Sequence, residues 1–118
     1  MDVVYYDKKG KPLCYCDDGT HIFSFDGKPL AYINDEDIYS FPGRHLGWLK
    51  DGWIRDHQGQ CVLFSELSRG GPGLPGKMGV PGKSGKFGLP GKGGRDGRPS
   101  QPGFNNNWSS ATWQELFR

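Results

Sequence analysis

A handful of residues in this chain are of types that do chemistry. Cys14 and Cys16 project from one face of a short strand, and Cys61, His45 and His57 follow in later segments. Thiolates and imidazoles are common ligands of zinc, so a metal centre could be drawn from them. Arg55-Asp56-His57 sets an acid beside a base, and Ser24 or Ser40 nearby would complete a hydrolytic triad. No nucleophile motif surrounds either serine, and no two cysteines form a Cys-x-x-Cys pair. Two readings follow: a small metal-binding or hydrolytic enzyme using Asp56, His57 and the cysteines, or a non-enzymatic module in which these side chains are structural.

The setting of each residue favours the second. Four glycines, Gly10, Gly27, Gly43 and Gly59, stand 17, 16 and 16 residues apart, and the segments around them align in columns. Three residues after each glycine comes Leu13, Leu30, Leu46 or Val62; five after comes Tyr15, Tyr32, Trp48 or Phe64. Positions two apart on a strand share a face, so each copy is expected to set an aliphatic and an aromatic side chain on one side of a sheet. Between them stand Cys14, Ala31, Gly47 and Leu63, mostly small, as near a shared axis. Cys14 and Cys16 thus occupy columns otherwise filled by apolar or small residues, the ordinary fate of a buried free cysteine. His45 replaces Pro12, Pro29 and Cys61, and His57 replaces Phe25 and Phe41. Arg55, Asp56 and His57 are the least repetitive part of the pattern and the candidate interaction surface.

Ahead of each glycine a short run, Val3-Val4-Tyr5-Tyr6, Ile22-Phe23-Ser24-Phe25, Ile38-Tyr39-Ser40-Phe41 or Ile54-Arg55-Asp56-His57, makes the first strand of a hairpin whose turn needs glycine at positive φ. The result is all-β: eight short antiparallel strands in four hairpins. One hairpin is marginal in water, and four equivalent ones bury all their faces only by closing into a ring. The copies of Gly-x-x-Leu-Gly-Trp at 43–48 and Trp-Ile-Arg-Asp-x-x-Gly at 53–59 resemble the bacterial family described as the four-fold beta flower protein, over Val3 to Phe64. That resemblance implies four hairpin petals about a pseudo-four-fold axis and lends no activity.

After Arg69 the composition changes. Residues 1–69 hold eight Lys/Arg against eleven Asp/Glu, whereas residues 70–99 hold six against one. From Gly70 to Gly97 a glycine falls at every third position, with basic or aliphatic residues in the second slot and most of the prolines in the third. Polyproline II has three residues per turn, so the segment is a prism with a glycine edge, a basic-aliphatic edge and a proline edge, and is collagen-like. A flexible linker, a collagen triple helix and a single extended helix laid with its glycine edge against protein are the three forms it can take. Phe87 is the one aromatic residue in this basic run, which argues against stacking on nucleic acid bases.

At the far end Thr112 and Glu115 fit a capping box, with Trp113, Leu116 and Phe117 on one side of a short helix expected to dock against protein and anchor the strap. The division is a head at 1–68, a strap at 69–103 and a docking segment at 104–118. Nothing resembles a signal peptide and no run approaches 18 apolar residues, so a cytoplasmic chain that does not enter membranes is the expectation. No metal or cofactor is called for. The expected partner is the chain itself, by strap docking or homo-oligomerisation, or another protein.

Overall fold

In the computed structural model, which describes residues 2–118, the hairpin repeat becomes one eight-stranded antiparallel sheet in sequence order: β1 (Val3–Tyr6), β2 (Pro12–Cys16), β3 (His21–Ser24), β4 (Pro29–Asn34), β5 (Asp37–Tyr39), β6 (His45–Lys50), β7 (Trp53–Arg55) and β8 (Cys61–Leu63). The sheet closes on itself. The Tyr6 amide donates to the Phe64 carbonyl at 2.8 Å, and the Phe64 amide donates to the Tyr6 carbonyl at 2.9 Å. Closure removes both sheet edges, which is how four marginal hairpins stabilise one another.

Each petal tip is a three-residue loop. In petal 1 the Asp7 amide donates to Lys11 and the Gly10 amide donates back to Asp7; Ser24, Ser40 and Asp56 repeat both bonds. The carboxylate or hydroxyl of the same residue also accepts loop amides, as Asp56 Oδ1 does from Gln58 and Gln60, both at 3.0 Å.

One expectation fails inside each petal. The pairing runs Tyr5↔Cys14 and then Tyr6↔Pro12, so Leu13 is an extra, unpaired residue; Leu30, Leu46 and Val62 are skipped in the same way. A bulge of one residue breaks the alternation of faces. The aliphatic column therefore turns inward, where Leu13, Leu46 and Val62 join Cys14, Ala31 and Leu63 in the axial core. The aromatic column lies on the outer face. There Tyr15 stacks on Phe23, Tyr32 on Tyr39 and Phe64 on Tyr6, with ring centroids 5.1 to 6.0 Å apart.

Those outer rings are covered by the Gly-rich segment, which runs as a single extended belt around the petals in order. The Met78 amide donates to the Gly10 carbonyl (2.9 Å), Phe87 to Gly27 (2.9 Å), Asp96 to Gly43 (2.8 Å) and Asn105 to Gly59 (3.2 Å). The step is nine residues, three triplets, each time. Nine residues of extended chain at ~3.1 Å each span about 28 Å, and a quarter of a rim 37 Å across has a chord of about 26 Å. The belt is therefore pitched to the ring.

The edge that faces the head is not the glycine edge. A Cβ placed on Gly76, Gly85, Gly94 or Gly103 would meet no atom within 4 Å. The constraint sits on the petals: a Cβ on Gly10, Gly27 or Gly43 would stand 1.9 to 2.1 Å from a belt carbonyl oxygen.

The chain ends by crossing one mouth of the ring. Trp108 forms a bridge with Cys61 and packs on Trp53 and Phe64. The helix α1 (Trp113–Leu116) follows, with Thr112 as its cap, and Leu116 is buried in the axial core beside the partly buried Trp113 and Phe117. Among the described residues no helix is long and apolar enough to cross a membrane.

Candidate functional site

The belt approaches the head through its basic edge. Lys77 stands over the Tyr6 ring at 5.8 Å, Lys86 over Phe23 at 4.6 Å and Arg95 over Tyr39 at 5.6 Å, one per petal and nine residues apart. In petal 4 the two partners exchange sides. Arg55 occupies the ring's column and Phe104 the cation's, with the guanidinium 4.8 Å from the ring centre. Arg55 also donates to the carbonyls of Gly59 at 2.9 Å and Asn105 at 2.6 Å, while its Nε has no partner. Arg55 thus holds the belt from the head side.

Of the three residues singled out in petal 4, Arg55 and Asp56 are buried and only His57 is exposed. Asp56 is fully engaged by the amides of its turn and by the hydroxyl of Ser109. Leu116 is buried in the axial core, and Trp113 and Phe117 pack against it half-buried.

The three cysteines are divided between two apolar clusters. Cys14 and Cys16 belong to the axial core and Cys61 to a cluster with Tyr6, Trp53 and Phe64. Burial pushes all three thiols up, Cys14 most, with the neighbouring Cys16 adding to it. Among the described residues no three His, Cys, Asp or Glu side chains come together to hold a metal.

His57 lies at the outer end of a line that sequence columns only half revealed. Its Nε2 is 2.9 Å from Nδ1 of the buried His45, whose Nε2 is 2.9 Å from Oδ1 of the buried Asp37; Arg98 of the belt pairs with Oδ2 at 2.9 Å. Trp48 borders both imidazoles, at 5.0 and 5.6 Å. The line opens into a groove of about 500 Å³ between petals 3 and 4, lined by Arg44, His57, Gln58, Glu115 and Arg118 over Leu46, Ala111 and Leu116. Burial draws the His57 imidazole below its ordinary value, with the neighbouring His45 and Arg44 acting in the same direction and Asp56 opposing.

The four hairpins form a closed sheet wrapped by a belt that is bonded to every tip. The sequence model of the 4-fold beta flower protein family matches residues 3–117. The chain belongs to the four-fold beta flower family. The match takes in the belt and the last turn as well as the petals, so it reaches well beyond the Val3–Phe64 stretch in which the hairpin repeat is visible. No curated protein and no solved structure shows a significant match.

Asp37 and Arg98 were not among the residues picked from the sequence. Asp37 sits beside the link Asn34-Asp35-Glu36, where an acid reads as a solvated turn residue, and Arg98 reads as one basic residue of six in the Gly-rich run. The signal available was positional: Arg98 replaces Val80 and Leu89 at a nine-residue step, and Asp37 replaces His21 and Trp53.

Proposed function

We propose that this beta flower is a non-enzymatic protein-interaction module whose docking surface is the outward side of its belt. The observation that supports this reading is an asymmetry between equivalent belt positions. Met78 and Phe87 hold the place taken by Asp96 next to petal 3, and Val80 and Leu89 hold that of Arg98. With Leu74 these four form an arc of large apolar side chains, each about half exposed or more, on the side of petals 1 and 2. The lysines of the same stretch turn away from it: Lys77 toward Glu66, Lys83 toward Asp2 and Lys86 toward Asp17.

A second copy of the chain is the partner this arc fits. These side chains carry no charge, so a like strip on a second copy meets no repulsion from them, and two such strips, at roughly 100 Å² exposed per side chain, have ~1,000 Å² to bury, the lower end for a specific, transient contact. Sedimentation across a concentration series tests it. The full chain should dimerise reversibly, and Phe87→Asp with Leu89→Arg, which copy the residues already standing at 96 and 98, should leave a folded monomer. A chain that stays monomeric at every concentration overturns the self-association.

The alternative, a small metal-binding or hydrolytic enzyme on Asp56, His57 and the cysteines, has less support because Asp56 is engaged within its own turn and the thiols lie in two separate apolar clusters. Stoichiometric zinc in the purified protein would favour it.

A further inference from the structure

The repeat supplies an internal control for the line from Arg98 to His57. At the junction of petals 2 and 3 the equivalent positions hold His21, Pro29, Phe41 and Leu89, which form no such line: His21 stacks on Phe41 and its Nδ1 pairs with Asp18 of its own petal. The fold therefore does not need a polar line here. Yet four independent departures from the repeat, Asp37, His45, His57 and Arg98, meet end to end with each contact at 2.9 Å.

The donor and acceptor roles along the line can be followed from its buried end. The Asp37 carboxylate has Arg98 on one oxygen, so the other accepts, and His45 Nε2 must carry the proton. In its neutral form His45 accepts at Nδ1, and His57 Nε2 is then the donor. The nitrogen left for solvent is His57 Nδ1, an acceptor when the ring is neutral and a cationic donor once it takes a proton. A second cation, Arg44, lines the same groove, and Arg118 a third. Of the two carboxylates of the groove, Asp56 is engaged at both oxygens by Ser109 and its turn amides, and Glu115 accepts at Oε1 from the amide and hydroxyl of Thr112. The groove thus offers donors for an anion above an apolar floor of Leu46, Ala111 and Leu116.

We propose that this groove binds a small carboxylate with an apolar tail, held by His57 and Arg44, and that one proton is taken up on His57 as the carboxylate enters. The proton comes from solvent to Nδ1, and no covalent bond forms or breaks. Asp37 and His45 are positioning residues: through the neutral His45 they set the tautomer of His57, and the Asp37 carboxylate, shared with Arg98, anchors the far end of the line.

The direction of the pH effect follows. The free His57 is held below its ordinary value and is neutral at neutral pH; a bound carboxylate raises it. Affinity is therefore greatest in mild acid and falls about tenfold per pH unit as pH rises from the free toward the bound pKa. The titratable and charged groups that face His57 are Arg44, Arg118, Asp56, Glu115 and His45.

Calorimetric titration of the full chain with sodium butyrate, at about pH 6 in two buffers of different ionisation heat, reads binding and proton uptake together. Binding with uptake approaching one proton is the expected result. His57→Phe, which copies Phe25 and Phe41, should keep the native circular dichroism and lose both; if that variant does not fold, His57→Gln is the replacement. Asp37→Asn should shift the pH profile while the folded state persists. The proposal falls if butyrate does not bind, binds without uptake, or binds His57→Phe as well as the native chain. Tighter binding of inorganic phosphate in a parallel titration would overturn the carboxylate class.

Discussion

The contact between Gly27 and Gly85 joins two glycines that should respond oppositely to the same change. Gly27 sits at φ +90°, and a Cβ there would lie 2.1 Å from the Gly85 carbonyl oxygen, a backbone atom that yields only if the belt moves. Alanine at 27 meets a left-handed strain of about 1–2 kcal/mol. Displacing the belt also breaks the bond from the Phe87 amide to the Gly27 carbonyl, at about 1 kcal/mol. The total is ~2–3 kcal/mol. At Gly85 a Cβ enters open space and the backbone is not left-handed, so alanine should stabilise by about 0.4–1 kcal/mol through the unfolded chain. Urea denaturation of the two variants should give midpoints on opposite sides of the native one. A Gly85→Ala chain as damaged as Gly27→Ala would refute the argument, because it would show that the glycine edge itself is packed, as in a collagen triple helix.

Other tests follow from the same contacts. Arg55→Phe and Phe104→Lys should each destabilise, whereas the pair together restores the arrangement of petals 1 to 3, with a coupling of about 1 kcal/mol in a double-mutant cycle of denaturation midpoints. Gly47→Val should cost at least ~1–3 kcal/mol in thermal melts, since even a Cβ at Gly47 would stand 2.1 Å from the Arg55 carbonyl oxygen. In native protein at neutral pH iodoacetamide should label none of Cys14, Cys16 and Cys61, all buried with thiols raised by burial, and all three should react in denaturant. Because the belt is bonded at every tip, Trp113→Ala should open the last turn to protease while Lys77 to Arg95 stays protected; cutting throughout the belt would show that the end anchors the whole.

Much of the ring was legible because spacing survives translation into structure. Columns at fixed distances from Gly10, Gly27, Gly43 and Gly59 gave the strands, the tips and the closure. What did not survive was the face of the aliphatic column: an unpaired residue adds nothing visible to the spacing, yet it turns Leu13 and its equivalents inward. The belt hid its pitch in the same way. Pro81, Pro90 and Pro99 stand nine apart, but a three-residue phase running through them masks the longer step. Contacts between distant segments, such as Asp37 with His45 and Arg98, depend on which petals become neighbours and on where the belt passes, and neither is local information. His57, by contrast, was visible as a break in a column, and it is the exposed member of its triplet.

The nine-residue step also makes the belt a gauge of petal number. Each petal costs the chain 16 or 17 residues in its first circuit and nine in its second, and the two laps must agree at all four tips. A chain that gained or lost a petal alone would leave its belt slack or short by one quarter of the rim, with every later contact out of phase. Change in size is therefore confined to paired events: one hairpin and three triplets, inserted or removed together.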